Sequence, residues 1–159
     1  MGSELLVERT GEAVVLTLNR PERRNALSVA LRDAVSDALD ELAGDEETKA
    51  VVVTGTGPVF CAGFDLKEFD RGATDEAFMA ELWASSDRFH RTVLCFPLPL
   101  LAAVNGPAIA GGFDLAVMCD LRIAATTARV SHPERSFWDV VYGPLHDLVG
   151  GAVARELTI

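Results

Sequence analysis

Two short glycine turns in this sequence have the form needed to bind a negatively charged oxygen. The first is Ala62-Gly63-Phe64-Asp65, and the second is Ile109-Ala110-Gly111-Gly112-Phe113-Asp114, which joins an apolar strand, Leu100–Val104, to an apolar helix. A strand, a tight turn and a helix N-terminus in this order leave unpaired backbone N–H groups directed at one place. Such N–H groups stabilise negative charge on a ligand or on a reacting oxygen.

One N–H group from each turn, meeting at a single oxygen, would form an oxyanion hole. The second turn also carries a carboxylate, because Gly111 lies three residues before Asp114, so the peptide N–H and the carboxylate share one face of the helix. The alternative interpretation is structural. In it each glycine only permits a tight turn or close packing, and Asp114 only complements the helix dipole.

The elements that must hold these turns alternate between strands and helices. Apolar residues at helical spacing predict a helix that begins after Ser28 and ends near Gly44. A longer helix is predicted from about Asp75 to Leu94, and Asp70–Glu76 is predicted to be a mobile loop. The predicted strands are Leu5–Thr10 and Ala13–Leu18, which form a hairpin, and Ala50–Thr54, Leu100–Val104, Leu121–Ala124 and Arg129–Ser131. This alternation predicts an α/β fold.

The composition predicts a single globular domain that spans residues 1–159. Lysine and arginine number 14 and aspartate and glutamate 24, and the resulting net charge of −10 argues against nucleic-acid binding. No segment reaches the length of a membrane span and no signal peptide is recognisable, so we expect no membrane contact and a cytoplasmic location. Cys61, Cys95 and Cys119 lie in apolar runs and are expected to be reduced core residues of an intracellular protein.

The common cofactor and metal motifs are absent from the sequence. Gly55-x-Gly57 lacks the third glycine of the dinucleotide-binding motif, and no phosphate-loop motif occurs. The histidines, His90, His132 and His146, do not have the spacing of metal ligands. We therefore expect neither a metal ion nor a bound cofactor.

Four motifs in order resemble those of the enoyl-CoA hydratase/isomerase family, the crotonase superfamily. They are Asn19-Arg20-Pro21 with Asn25-Ala26-Leu27, Thr54-Gly55-x-Gly57 through Phe60 to Glu68, Ala103-Val104-Asn105-Gly106 through to Cys119-Asp120-Leu121-Arg122-Ile123-Ala124, and His132-Pro133-Glu134. The resemblance covers most of the chain. It implies a spiral core of repeated ββα units and an acyl-CoA thioester as the substrate.

The resemblance also implies a division of chemical roles. The peptide N–H groups of Phe64 and Gly111 would bind the thioester carbonyl and stabilise an enolate. In the family's hydratases two carboxylates flank the α,β double bond, and the matching positions are Asp114 and Glu134, acting as general base and acid. The implied reaction is the hydration of 2-enoyl-CoA, in which coenzyme A is part of the substrate and not a cofactor.

Substrate-binding residues are implied in the same way. Arg23, Arg24 and Lys67 are the local candidates for the phosphates of coenzyme A. Trp138 is expected to line the acyl pocket or the core, and the other positions implied to bind substrate are Ala26, Ala62, Asp65 and Leu66. His90 is interpreted as a helix-surface or interface residue, which would matter only in a different chemistry such as hydrolysis or dehalogenation of an acyl-CoA.

Departures from the family pattern leave alternatives open. Asp114 stands where the hydratases have glutamate, one methylene longer, and the stretch from Phe137 to Tyr142 replaces a glycine-rich segment. The family continues into C-terminal helices that close the site and pack a trimer, so we expect this helical part to be missing and a homotrimer or dimer of trimers to form only with the full-length chain. The alternatives are an enoyl-CoA isomerase that uses Glu134 alone and a non-catalytic acyl-CoA-binding protein.

Overall fold

A computed structural model describes residues 3–133 and 142–158 of the chain. Its elements in chain order are β1 (Leu5–Thr10), β2 (Ala13–Leu18), a short 3-10 helix (Pro21–Arg23), α1 (Val29–Ala43), β3 (Ala50–Gly55), α2 (Leu66–Gly72), α3 (Glu76–Leu94), β4 (Leu100–Val104), β5 (Ala108–Ile109), α4 (Gly111–Met118), β6 (Leu121–Ala124), β7 (Val130–Ser131), α5 (Tyr142–Val149) and α6 (Gly151–Thr158). The strands and helices predicted from the apolar pattern are all present, with small shifts at their ends.

The first layer is a five-stranded sheet in the order β1-β2-β3-β4-β6. β1 and β2 form the predicted antiparallel hairpin, and Gly11 in its turn has φ +62°, a left-handed conformation that favours glycine. β2, β3, β4 and β6 run parallel to one another. The carboxyl ends of these parallel strands therefore lie at one edge of the sheet, and the glycine turns follow from that edge.

The second layer consists of short parallel pairings. β5 pairs with β7, Cys61 forms a bridge with Ala108, and Phe64 forms a bridge with Leu27. Each parallel strand of the sheet is thus followed by a short extended segment and then by a helix. These units are β2 with Leu27 and α1, β3 with residues 61–64 and α2, β4 with β5 and α4, and β6 with β7 and α5. The predicted spiral of repeated ββα units is confirmed.

The helices α1 and α3 pack against each other and begin at capped ends. The hydroxyl of Ser28 accepts a hydrogen bond from the N–H of Leu31 at 3.1 Å, and the carboxylate of Asp75 accepts one from Phe78 at 3.0 Å. Both helices bury a stripe of apolar side chains. The stripes comprise Val29, Leu31, Val35, Leu39 and Leu42 in α1, and Phe78, Leu82, Phe89 and Val93 in α3.

The segment predicted to be a mobile loop, Asp70–Glu76, is mostly ordered into helix, so that prediction is wrong. α2 continues to Gly72, and Asp75 already caps α3. A Cβ atom on Gly72 would lie 2.7 Å from Cε and 3.4 Å from Cβ of Met79, so α2 and α3 lie close together at this residue. The polar composition that suggested a loop instead belongs to a tight helix-to-helix connection.

The three cysteines are free, and they differ in burial. Cys61 and Cys119 are buried, and burial raises the pKa of each thiol to about 12. Cys95 is exposed at the C-terminal end of α3. The prediction that all three are core residues is therefore wrong for Cys95, which is the exposed C-cap residue of α3.

The helices α5 and α6 pack against each other and bury Leu145 and Ala154. α5 begins at Tyr142, just before Gly143-Pro144, and Gly150 separates it from α6. Within the described ranges, no helix combines the length and the apolar character required to cross a membrane.

Candidate active site

The first glycine turn fixes the direction of the Phe64 amide. The N–H of Leu27 donates to the carbonyl of Gly63 at 2.8 Å, and the N–H of Asp65 donates to the carbonyl of Leu27 at 3.3 Å. Gly63 has φ +87°, and the peptide after it is trans, so the Phe64 N–H points opposite to the Gly63 carbonyl and away from Leu27. Among the hydrogen bonds of the described residues, none has the Phe64 N–H as donor.

The second glycine turn leaves the Gly111 amide at the N-terminus of α4. The carbonyl of Ala110 accepts hydrogen bonds from Phe113 at 2.8 Å and from Asp114 at 3.1 Å, so it points along the helix. The Gly111 N–H therefore points out of the helix end, and no described residue accepts a hydrogen bond from it. Ala110 itself has φ +55°, an uncommon conformation for a residue with a Cβ.

The two turns touch each other. A Cβ atom on Gly63 would lie 2.8 Å from Cβ of Ala110 and 3.1 Å from the nitrogen of Gly111. A Cβ atom on Gly111 would lie 3.1 Å from Cδ1 of Phe64. Behind them, a Cβ atom on Gly112 would lie 2.3 Å from the carbonyl oxygen of Cys61. The close approach therefore depends on glycine at these positions, and it puts the segments that carry the Phe64 and Gly111 N–H groups in contact with each other.

A buried side-chain amide holds the loop that precedes the first turn in place through hydrogen bonds. The side-chain nitrogen of Asn25, which has φ +54°, donates to the carbonyls of Thr56 and Val59 at 2.9 and 2.8 Å. The N–H of Ala62 donates to the carbonyl of Arg24 at 3.0 Å. These bonds hold the segment before Leu27 beside the segment that carries Phe64, so the geometry of the amide depends on a loop far from it in sequence.

A buried carboxylate lies in the first turn of α4, beside the Gly111 amide. The side chain of Asp114 is 9% exposed, and its Oδ1 lies 3.5 Å from Nε2 of His132, whose imidazole is 1% exposed. The rings of Phe113 and His132 lie 4.8 Å apart, centroid to centroid. Nothing in the spacing of the sequence singles out His132 as a neighbour of Asp114; the signal available is that it begins the His-Pro-Glu motif.

Glu134 and Trp138, two of the residues expected to act on or bind the substrate, lie outside the described residues. The roles implied for them stay predictions.

The family of the protein is shown by a comparison with family models that covers most of the chain. A family model described as enoyl-CoA hydratase/isomerase matches residues 8–142. The chain belongs to the enoyl-CoA hydratase/isomerase family.

Individual relatives and solved structures agree with this assignment. The chain is 40% identical over 135 residues to the 2,3-dehydroadipyl-CoA hydratase of Escherichia coli, and 38% identical over 130 residues to a Mycobacterium tuberculosis protein named "Probable enoyl-CoA hydratase echA8". These alignments cover 83% and 82% of this chain but only 50% and 49% of the relatives. The chain thus spans about half the length of the curated relatives that it matches.

Among solved structures, an enoyl-CoA hydratase from Bacillus anthracis superposes with a TM-score of 0.88 at 32% identity, over 98% of this chain and 62% of that one. A Pseudomonas aeruginosa protein, PA4980, superposes with a TM-score of 0.89 at 32% identity, over 98% of this chain and 68% of that one. The spiral of ββα units is therefore shared with solved members of the enoyl-CoA hydratase/isomerase family.

The basic residues predicted to bind coenzyme A lie on the surface near the first turn. Arg23, Arg24 and Lys67 are exposed. Arg23 and Arg24 belong to the loop that is fastened beside Ala62, and Lys67 lies in the first turn of α2, directly after the Phe64 segment. The three residues thus belong to segments that adjoin the same turn.

The remaining predicted substrate-binding positions differ in exposure. Ala26 is buried, Ala62 is half-buried and Leu66 is 73% exposed. Asp65 already has structural partners, because its carboxylate accepts the N–H of Lys67 at 3.2 Å, which caps α2, and pairs with Arg20 at 3.0 Å. Its substrate contact stays a prediction, and the contacts present are those of a residue that positions the turn.

The acidic residue Glu68 contributes to the frame of the site. Both of its carboxylate oxygens accept the N–H of Val29, at 3.1 and 2.9 Å, at the start of α1. Burial raises the pKa of Glu68, against the opposing effect of this backbone hydrogen bond. Across residues 3–133 and 142–158, no three side chains of histidine, cysteine, aspartate or glutamate cluster in a way that would hold a metal ion.

Proposed function

We propose that the protein binds an acyl-CoA thioester with its carbonyl oxygen at the N–H groups of Phe64 and Gly111, and that it catalyses the hydration of a 2-enoyl-CoA. The observation that carries this proposal is the contact between the two glycine turns. Each turn presents an N–H group that no described residue accepts, and the turns approach so closely that a Cβ atom would not fit between them. Two preorganised donors at one place are the requirement for stabilising a developing oxyanion.

The chemistry follows from where negative charge develops. When a hydroxyl adds to the β-carbon of the enoyl group, electrons of the double bond move toward the thioester carbonyl and form an enolate. Two N–H donors stabilise that oxygen more in the transition state than in the substrate, and one such donor is worth about 3 kcal/mol in other enzymes.

Two carboxylates would complete the reaction. Asp114 lies beside the Gly111 amide and, with Glu134, would orient the water, accept a proton from it and deliver a proton to the α-carbon. The net change is the addition of one water molecule across the double bond, so no redox partner is needed.

Binding of coenzyme A would depend on local charge. The protein carries a net charge of −10, so its overall field does not attract phosphates. Arg23, Arg24 and Lys67 are exposed on segments that adjoin the first turn and would neutralise the phosphates there. Ala26, Ala62 and Leu66 would line the path of the ligand toward the Phe64 amide.

The experiment that tests this function removes a single N–H group. Replacement of Phe64 by its α-hydroxy acid analogue converts the amide to an ester, which deletes the donor and keeps the side chain. We expect kcat for 2-enoyl-CoA hydration to fall by about 10²–10³-fold. The same replacement at Phe89 in α3, which loses only a helical N–H, is the matched control and should leave kcat close to that of the unmodified protein. Equal loss at both positions would contradict the proposal.

The burial of Asp114 favours a second candidate, an enoyl-CoA isomerase that uses Glu134 alone. The short carboxylate faces His132 at 3.5 Å and is largely shielded from solvent. Turnover of 3-enoyl-CoA that exceeds hydration of 2-enoyl-CoA would favour the isomerase. Tight binding of acyl-CoA without turnover of either substrate would favour a non-catalytic binding protein.

The proposal extends to the whole protein. Residues 1–159 would form its acyl-CoA-binding core, the substrate would supply coenzyme A without a further cofactor, and the assembly would be a cytoplasmic homotrimer or dimer of trimers. Sedimentation equilibrium of the full-length protein tests the assembly, and a monomer at micromolar concentration would contradict it.

A further inference from the structure

An arginine is completely buried behind the Phe64 turn. Arg32 lies in α1 with 0% exposure, although its neighbours along the helix follow an ordinary apolar pattern. Its guanidinium donates to the carbonyl of Leu27 at 2.8 Å, to the carbonyl of Leu82 at 3.2 Å and to the hydroxyl of Ser85 at 3.3 Å. These acceptors are all neutral, and no ion pair of Arg32 occurs within the part of the chain that the structure describes.

The same guanidinium contacts the Phe64 turn in two ways. Its central carbon lies 4.4 Å from the centroid of the Phe64 ring, in the position of a cation–π contact. The Leu27 carbonyl to which it donates is also the acceptor for Asp65, and the Leu27 N–H binds Gly63. Arg32 therefore contacts the side chain of Phe64 and the backbone bridge that fixes the direction of the Phe64 N–H.

Stability alone does not account for a charge at this position. A buried cation loses its hydration, and even a complete buried ion pair can often be replaced by apolar side chains of similar volume with no loss of stability. The carbonyl of Leu27 would still be bound by Asp65 without Arg32, and Ser85 also donates to Asp33 at 2.7 Å. Removal of the Arg32 guanidinium would thus leave few polar groups without hydrogen-bond partners. A purely structural role is therefore a weak explanation for its presence.

The charge lies against the ring of Phe64, the residue whose N–H group would bind the oxyanion. In a poorly solvated site a fixed positive charge favours an anion more than it does in water. The carboxylates of Glu68 and Asp33 attract the guanidinium, but loss of hydration on burial outweighs them and lowers the pKa of Arg32. The guanidinium is therefore only partly compensated by acidic groups.

We propose that Arg32 is a positioning residue for the oxyanion site: it holds the Phe64 N–H in direction and places a buried positive charge behind it. This inference rests on the proposed function, because it presumes that a carbonyl oxygen binds at the Phe64 amide. Arg32 does not touch the substrate, and it acts through Phe64.

The test compares Arg32→Met with Arg88→Met. Arg88 also links α3 to α1, through Asp37 and Asp40 at 2.7 and 2.8 Å, but it lies on the surface and outside the site. The probe is a CoA thioester of a dialkylaminocinnamic acid, whose absorption shifts to the red when its carbonyl is polarised. We expect Arg32→Met to reduce the red shift of the bound probe and to lower kcat by about 10–100-fold, with KM changed by less than about threefold. Arg88→Met should leave all three values unchanged.

Arg32→Lys keeps the positive charge but lacks the planar set of N–H donors of the guanidinium. It therefore separates the effect of the charge from the effect of these hydrogen bonds. We expect it to recover part of the red shift. If Arg32→Met does not fold, Arg32→Lys carries the test, and its red shift and kcat should both lie below those of the unmodified protein. An unchanged red shift and kcat in either folded variant would overturn the inference.

A measurement without ligand keeps the inference separate from the proposed function. If Arg32 orients the Phe64 amide, the N–H resonance of Phe64 should move or broaden in Arg32→Met and stay in place in Arg88→Met. An unmoved resonance would overturn the role of Arg32. Absence of any red shift in the unmodified protein would instead overturn the proposed function, and the resonance would still decide the positioning role.

Discussion

The imidazole of His132 lies against the carboxylate of Asp114, with 3.5 Å between Nε2 and Oδ1. The contact arises from the second layer of the fold, where β7 pairs with β5 and the N–H of Ala110 donates to the carbonyl of Ser131 at 2.8 Å. His132 follows that pairing directly, so it enters beside the first turn of α4. The carboxylate of Asp114 therefore faces a ring that comes from the next repeat.

This contact predicts that His132 sets the position of Asp114. His132→Leu removes the polar ring and should lower kcat by about tenfold or more through misplacement of the carboxylate, with little change in KM. His132→Gln is the conservative variant and should keep most of the activity, because its amide keeps a polar group next to the carboxylate of Asp114. Steady-state kinetics on 2-enoyl-CoA measure both. Wild-type kcat in His132→Leu would show that Asp114 needs no support from this side.

The carboxylates themselves are tested by isosteric amides. Asp114→Asn and Glu134→Gln should each lower turnover by about 10²–10⁴-fold, because an amide neither accepts nor delivers the proton. Affinity for coenzyme A, measured by calorimetric titration, should change little. Asp87→Asn on the exposed face of α3 is the matched control for loss of one carboxylate. Turnover like that of the unmodified protein in both variants would contradict the assignment of Asp114 and Glu134 as the catalytic carboxylates.

The glycine at the first turn predicts a coupled loss of stability and ligand binding. Gly63→Ala adds a Cβ atom 2.8 Å from that of Ala110 and forces alanine to φ +87°. We expect a loss of about 2–4 kcal/mol in the free energy of unfolding, and loss of the probe's red shift. Urea denaturation and absorption spectra give the two values.

Gly11→Ala provides the matched control. Gly11 has φ +62°, and a Cβ atom there meets nothing within 4 Å. Only the conformational cost of about 1 kcal/mol should remain, and the red shift should be intact. If Gly63→Ala cost no more than Gly11→Ala, the close packing of the two turns would be wrong.

Much of this architecture is readable from local pattern. The apolar spacing and the Ser28 cap are sufficient for α1, and the strand, glycine turn and helix around Gly111 appear in the structure as the sequence predicts. The turn at Gly63 is also predicted. The local sequence pattern does not predict the contact between the two turns, because that contact depends on the stacking of one ββα unit on the next.

The features that sequence analysis misses are those created by neighbouring repeats. Arg32 is a charged residue within a helix, and such residues usually face solvent, but α3 covers it with Leu82 and Ser85. His132 meets Asp114 only because β7 pairs with β5. In both cases the partner is distant along the chain, so no periodicity of the local sequence reports the contact.

The buried thiols predict a loss of stability at alkaline pH. Cys61 and Cys119 have pKa values of about 12 in the folded protein, against about 8.5 in an unfolded chain. Above pH 8.5 the unfolded chain loses these protons and the folded protein keeps them, so stability is fully present below that pH and falls as pH rises toward 12. Between pH 8 and pH 10 we expect a loss of about 1–2 kcal/mol for each buried thiol.

The measurement is the free energy of unfolding in urea as a function of pH. Cys119→Ala removes one of the two buried thiols. The decline of the free energy of unfolding with pH should therefore lose about half of the part that the two thiols contribute, whatever the substitution does to the absolute stability. Cys95, in contrast, is exposed in the folded protein. A thiol reagent at pH 8 should accordingly modify Cys95 in the native protein and all three cysteines in urea. Rapid native modification of Cys61 would mean that the segment between β3 and the Phe64 turn opens readily, and the preorganised amide would then have no rigid support.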